Sequence, residues 1–237
     1  MAFRALRVGS IVTVVATVAF SPLWAQAPGS ADVQRRVTEL KQSVAANQAK
    51  LKQYTWLETT EVSVKGETKK EQQQQCRYGP DGKVMKTPLG EPSPPPEEMR
   101  GLKKKIVGKK VDEMKDYVER VKTLIGHYVP PEGAKMQSAM QAGHASLNPG
   151  AGVATIIFTD YYKSGDRVTF EFDTAARKLR NYSISTYLDD PVKDVVTMTN
   201  QFASLPDGTN YLQQTVLNMV AKQIKITNTN SGHSKLN

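Results

Sequence analysis

Histidine is the side chain best suited to binding a metal ion or moving a proton near neutral pH. This chain of 237 residues contains three, His127, His144 and His233. No two of them have the H-x-x-x-H spacing that brings two metal ligands together, and the sequence contains no C-x-x-C pair. We therefore predict no metal site and no cofactor, and we expect surface or capping histidines.

Carboxylate pairs are a second source of chemistry, because two carboxyl groups can divide the acid and base roles of glycoside hydrolysis. The candidates are Glu58, Glu61, Glu171, Asp173, Asp189 and Asp190. Most of them fall on outward-facing strand positions or in a turn before Pro191, where a carboxylate is solvated. The sequence contains no G-x-S-x-G, no S-x-x-K and no phosphate-binding loop. We predict that the protein is not an enzyme.

The N-terminus carries the pattern of a secretory signal. Arg4 and Arg7 precede an apolar run over 8–23, and small residues follow at Ala25 and Ala27. Cleavage between Ala25 and Gln26 keeps Pro28 away from the cut, so we predict a signal peptide over 1–25 and one domain over 26–237. No later apolar run is long enough to cross a bilayer.

Cysteine usage and charge narrow the compartment and the partners. Cys76 is the only cysteine, so an exported chain has no internal disulfide, which favours the periplasm of a bacterial envelope. We interpret Cys76 as a half-buried strand residue, with a reactive thiol as the alternative. The net charge of +9 can attract acidic partners. Export excludes nucleic acid and leaves an anionic membrane surface or envelope proteins.

The first half of the chain begins with a helix and continues as a meander of strands. Apolar residues at three- and four-residue steps predict an amphipathic helix over 32–50. From Tyr54 the period changes to two, and turns at Lys65-Gly66 and 79–82 predict three antiparallel strands. Prolines between Pro88 and Pro96 form a stiff connector.

Helix-forming segments over 97–108, 111–125 and 132–142 form an insertion, at about 97–145, between two blocks of strands. Its position suits a lid. Strict alternation in Val168, Phe170 and Phe172 then predicts a sheet with one wet face. We count about eight strands joined by short turns and no βαβ alternation, so the predicted fold class is α+β with an antiparallel sheet.

The order of these elements resembles the LolA-like family of periplasmic lipoprotein carriers and their relatives. The resemblance covers most of the chain after the signal. It is carried by Tyr54-Thr-Trp56, by the strand over 168–173, and by the turn over 205–208 leading to Ile224-Lys-Ile226. The long polar second strand and the proline-rich connector depart from the typical carrier.

The resemblance implies a curved antiparallel half-barrel whose concave side shelters acyl chains beneath helices. We therefore predict a non-enzymatic, monomeric carrier that holds a lipid, a lipoprotein acyl chain or another apolar ligand between the sheet and the inserted lid. The predicted ligand-binding residues are Trp56, Val62, Val64, Met114, Val118, Phe170 and Phe172.

Two other interpretations stay open. The same apolar residues serve equally in a filled core, which would make the protein an envelope structural or interaction protein without a ligand. Such a protein can dock through its polar second strand and through a basic cluster at Arg100, Lys103–Lys105, Lys109 and Lys110, which can also touch anionic lipids. A hydrolase is the third interpretation.

Overall fold

The computed structural model describes residues 30–90 and 102–236. The predicted signal peptide over 1–25, Arg100 and the prolines over 92–96 lie outside these residues. The side chains of the basic cluster over 103–110 also lie outside the described part.

The described residues form three α-helices and ten strands. The helices are α1 (Ser30–Leu51), α2 (Leu102–Gly126) and α3 (Gly133–Gln141). The strands are β1 (Tyr54–Val64), β2 (Glu67–Tyr78), β3 (Val84–Leu89), β4 (Ala145–Pro149), β5 (Val153–Thr159), β6 (Arg167–Asp173), β7 (Lys178–Tyr187), β8 (Val195–Ser204), β9 (Asn210–Met219) and β10 (Ile224–Lys235).

All ten strands belong to one open antiparallel sheet in the order β3-β2-β1-β10-β9-β8-β7-β6-β5-β4. The last strand therefore lies in the middle, where it joins the meander β1–β3 to the block β4–β9. The predicted antiparallel sheet with helices inserted between two strand blocks is confirmed. The predicted count of about eight strands is too low, because β4 directly follows α3 and carries no long alternation of its own.

The helical insertion differs from the prediction in one respect. Two separate segments over 97–108 and 111–125 were expected, whereas α2 is continuous from Leu102 to Gly126. A single glycine in a helix costs about 1 kcal/mol relative to alanine, so Gly108 does not end α2.

One face of the sheet is apolar and is covered by helices. Strand register places one row of side chains side by side across seven strands: Val62, Ile226, Leu217, Met198, Ile184, Val168 and Phe158. Because side chains alternate between faces, the next covered row contains Tyr182, Phe170 and Ile156. We call this side the covered face.

The core lies where α2 and α3 pack on β5–β8. Tyr117, Val121 and Leu124 of α2 are buried there, together with Tyr128 just after α2 and Met136 of α3. The Tyr128 hydroxyl donates to Asp166 at 2.7 Å. Three backbone N–H groups at 161–163 also donate to this buried carboxylate, so the end of α2 is fixed to the turn after β5.

α1 lies across β4, β7 and β9 at another part of the covered face. It therefore covers strands from both sides of β8. None of the helices in the described residues combines the length and hydropathy of a membrane span.

Candidate functional site: a cavity between α1 and the sheet

A cavity of about 610 Å³ lies between α1 and the covered face. Its walls come from α1, from β1–β3, from the turn between β6 and β7, and from the adjoining ends of β7–β10. A volume of this size is within the range of roughly 300–1,000 Å³ that is usual for small-molecule sites.

The α1 wall follows from helical spacing. Ser43, Asn47 and Lys50 line the cavity and recur at intervals of three or four, so they form one stripe along the helix. Asn47 holds the helix in place: its Nδ2 donates to the Asn210 carbonyl at 2.5 Å, and the Asn210 N–H donates to its Oδ1 at 2.6 Å. Ser43 Oγ donates to the Arg177 carbonyl at 2.6 Å.

Trp56 of β1 forms the aromatic floor and is only 7% exposed. Its indole N–H donates to Asn230 Oδ1 at 3.0 Å, and Asn230 Nδ2 donates to the Leu212 carbonyl at 2.9 Å. The backbone ladder between β9 and β10 ends at Gln214 and Thr229. The Asn230 side chain therefore continues the connection where the backbone pairing stops.

Two β-bulges direct side chains toward this floor. Leu57 pairs with Ser231 and Thr55 with Ser234, so Gly232 and His233 together stand opposite Trp56. Gly232 has φ +61°, a left-handed conformation that favours glycine. Without the extra residue, alternation would place His233 on the other face. On β9, the extra Gln213 likewise brings Leu212 opposite Phe202.

The bulge builds an aromatic group around Trp56. The His233 ring lies nearly parallel to the Trp56 ring, with centroids 5.9 Å apart. Tyr211 contacts His233 at 4.2 Å and Tyr78 contacts Trp56 at 5.4 Å. Burial lowers the pKa of His233, so the imidazole is neutral at neutral pH.

A charge pair stands beside this aromatic group. Glu58 is 8% exposed, and its Oε1 accepts a hydrogen bond from Lys86 Nζ of β3 at 2.5 Å. Cys76 is fully buried and pairs with both Trp56 and Lys86 across the strands. Burial is the main cause that raises the pKa of the Cys76 thiol, and Glu58 adds to it. The thiol is therefore protonated at neutral pH and is not an activated nucleophile.

The lining of the cavity can bind an apolar molecule. Tyr78, Leu51, Leu179 and Leu212 offer apolar or aromatic carbon, with a few fixed polar groups between them. Within residues 30–90 and 102–236, no three His, Cys, Asp or Glu side chains are grouped so as to hold a metal ion.

The structure separates the residues that the sequence predicted as one site. Trp56 lines the cavity. Phe170 and Phe172 are buried in the core under α2, while Val62, Val64, Met114 and Val118 pack against that core. None of these six lines the cavity, so the space that we expected beneath the inserted helices lies beneath α1 instead. Their role in ligand binding stays a prediction.

Several residues of the cavity were not identified from the sequence. Asn47 and Ser43 act through hydrogen bonds to the backbone of distant turns, which no local pattern encodes. Leu212 and His233 face the cavity because of the bulges, so a regular period of two places them on the opposite face. One usable signal was Gly232 immediately before His233, since glycine inside a strand often marks a bulge.

Comparison with known proteins gives little further information. No family model matches the chain, and no curated protein matches it. Among solved structures, a DUF1329 family protein from Desulfovibrio piger is similar over 84% of this chain and 92% of that chain, with 10% sequence identity and a TM-score of 0.40. This similarity assigns neither a family nor a function to the chain.

Proposed function

We propose that this protein is a non-enzymatic binding or carrier protein that holds a lipid, an acyl chain or another apolar ligand between α1 and the sheet. The observation that carries the proposal is the cavity of about 610 Å³ with the buried Trp56 as its floor. We retain the LolA-like half-barrel, the export signal and the periplasmic location as inferred from the sequence. In this proposal α1, and not the inserted helices, covers the ligand.

The energetics favour an apolar occupant. Burying apolar surface contributes roughly 25 cal/mol per Å², or about 0.8 kcal/mol for each methylene group. The aromatic side chains at the floor are held by hydrogen bonds and ring contacts before any ligand arrives. A preformed site loses less conformational entropy when it binds.

Lipid extraction from the purified protein followed by mass spectrometry tests the proposal, together with displacement of a fluorescent fatty acid. We expect Trp56→Ala to weaken probe binding. Leu57→Ala is the matched control, because Leu57 neighbours Trp56 in β1 but points to the other face. Absence of both a copurified ligand and a bound probe would refute the carrier function.

A second candidate is an envelope structural or interaction protein. The cluster of buried apolar side chains beneath α2 and α3 favours it, and so does the edge strand β3, where Val84, Met85 and Leu89 are exposed. Exposed edge strands present unpaired backbone groups that another chain can pair with. A protein that binds no probe but associates with envelope proteins through β3 would support this candidate.

A further inference from the structure

We infer that the cavity selects a single-chain amphiphile with an anionic head, and that Lys50, Arg177 and Lys178 bind that head. This inference rests on the proposed function, because it names the class of ligand for the same cavity.

The charges that line the cavity are strongly unequal. The cationic side chains are Lys50, Lys86, Arg177 and Lys178, and the only carboxylate among the described lining residues is Glu58. Glu58 and Lys86 pair with each other at 2.5 Å. After this pair is set aside, three cations remain.

These three cations have no acidic partner in the described part of the chain. No carboxylate there lies within 4.0 Å of Lys50, Arg177 or Lys178. Lys178 Nζ donates to the neutral Ser204 hydroxyl at 3.0 Å. An unbalanced group of cations beside an apolar cavity attracts an anion and disfavours a cation.

The fold brings the cations to the same cavity from two elements. Lys50 lies in the last turn of α1, whereas Arg177 ends the turn between β6 and β7 and Lys178 begins β7. The Ser43 hydroxyl holds α1 against that turn through the Arg177 carbonyl. A head bound by these cations would leave its chain in the same cavity, which Leu179 and Trp56 also line.

The volume sets the number of chains. At roughly 30 Å³ for a water-sized group, a cavity of about 610 Å³ holds about 20 such groups. This matches one chain of medium length with its head. By the same count, a lipid with two or three long chains exceeds this volume.

Probe displacement by four dodecyl compounds separates the head from the chain. Dodecanol tests the apolar cavity alone, while dodecanoate and dodecyl phosphate add an anionic head from a fatty acid or a phosphate source, and dodecyltrimethylammonium adds a cation. At low salt we expect both anions to bind about five- to tenfold more tightly than dodecanol. We expect high salt to reduce this difference.

Matched double variants test the residues. The double variant Lys50→Gln with Lys178→Gln removes two of the three cations that line the cavity. The control, Lys115→Gln with Lys225→Gln, removes two exposed charges outside the cavity. We expect only the first variant to lose the preference for anions while still binding dodecanol. Equal binding of anions and dodecanol, tighter binding of the ammonium compound, or equal effects of both variants would overturn the inference. Failure of all four compounds to bind would instead refute the proposed function.

Discussion

The Trp56 indole and the Asn230 side chain form a buried hydrogen bond of 3.0 Å between β1 and β10, across 174 positions of sequence. The same asparagine donates to the Leu212 carbonyl of β9. One amide thus joins three strands at the floor of the cavity. Residues that build this floor and residues that form the core should therefore differ in their effects when they are replaced.

Replacing Asn230 with leucine should destabilise the fold by about 2 kcal/mol, because it leaves the Trp56 N–H and the Leu212 carbonyl without partners in a buried place. Urea unfolding followed by circular dichroism measures the change. Ser231→Ala, at the exposed neighbouring position, should stay within about 0.5 kcal/mol of the wild type. Equal stability of the two variants would contradict the role given to Asn230.

Replacing Asn47 with alanine should weaken both stability and ligand binding. The variant loses two hydrogen bonds to the Asn210 backbone, each worth about 1 kcal/mol. Asn47 then no longer holds α1 in place as a wall of the cavity. Gln42→Ala is the control on the same helix, since Gln42 is exposed. Probe titration and urea unfolding should show losses for the Asn47 variant alone; unchanged probe affinity would mean that α1 does not cover the ligand.

Alanine substitutions should mainly lower stability in the core and mainly lower ligand affinity in the cavity. Phe170 is 3% exposed and stacks on Tyr182 at 4.8 Å, so Phe170→Ala should cost about 3–5 kcal/mol while the folded fraction keeps its probe affinity. Leu212→Ala removes a cavity side chain and should lower the affinity several-fold with a smaller loss of stability. Phe170→Leu provides a milder core variant. A binding defect confined to the Phe170 variants would place the site under α2.

Asp207 should make the fold sensitive to acid. The Tyr54 hydroxyl donates to it at 2.5 Å, the Thr209 N–H donates at 2.9 Å, and Lys235 Nζ lies 3.5 Å away. These groups, with the Tyr54 hydrogen bond first, hold the pKa of Asp207 below its usual 3.8. The stabilisation is therefore complete above pH 3.8 and declines as the pH falls toward the lower pKa of the folded state.

Urea unfolding of the wild type and of Asp207→Asn, measured between pH 6 and pH 2, checks this relationship. This range spans the usual carboxyl pKa of 3.8. The wild type should be the more stable of the two at pH 6, and the difference in urea midpoint should shrink in acid. Tyr54→Phe should reproduce part of the effect. A difference that is constant with pH would show that the carboxylate charge is not involved.

His233 should give a second pH dependence in a different range. Burial lowers its pKa from 6.5, so below pH 6.5 the unfolded chain takes up a proton before the folded chain does, and stability declines. His233→Phe keeps a ring against Trp56 and should reduce the stability difference between pH 7.5 and pH 5. A difference that stays unchanged in the His233→Phe variant would contradict this prediction.

The strand periodicity of the sequence predicted most of the sheet, but little of the cavity. Val168, Phe170 and Phe172 alternate without interruption, and all three are on the covered face. Alternation fails at Leu212 and His233, since a bulge changes the face of the residues that follow it. The sequence predicted α1 as a helix over 32–50 but not as the cover of the cavity. Its position there is fixed by Asn47 and Ser43, whose hydrogen bonds to distant backbone no local pattern encodes.

The central position of β10 affects how the molecule is assembled. β1–β3 are made early and β10 last, yet β1 has no partner on its β10 side until Ile224–Lys235 is available. Pairing of β1 with β10 therefore closes a long loop, which is slow. The floor around Trp56 stays unfinished until β10 is in place, and without this one strand the described sheet would separate into two.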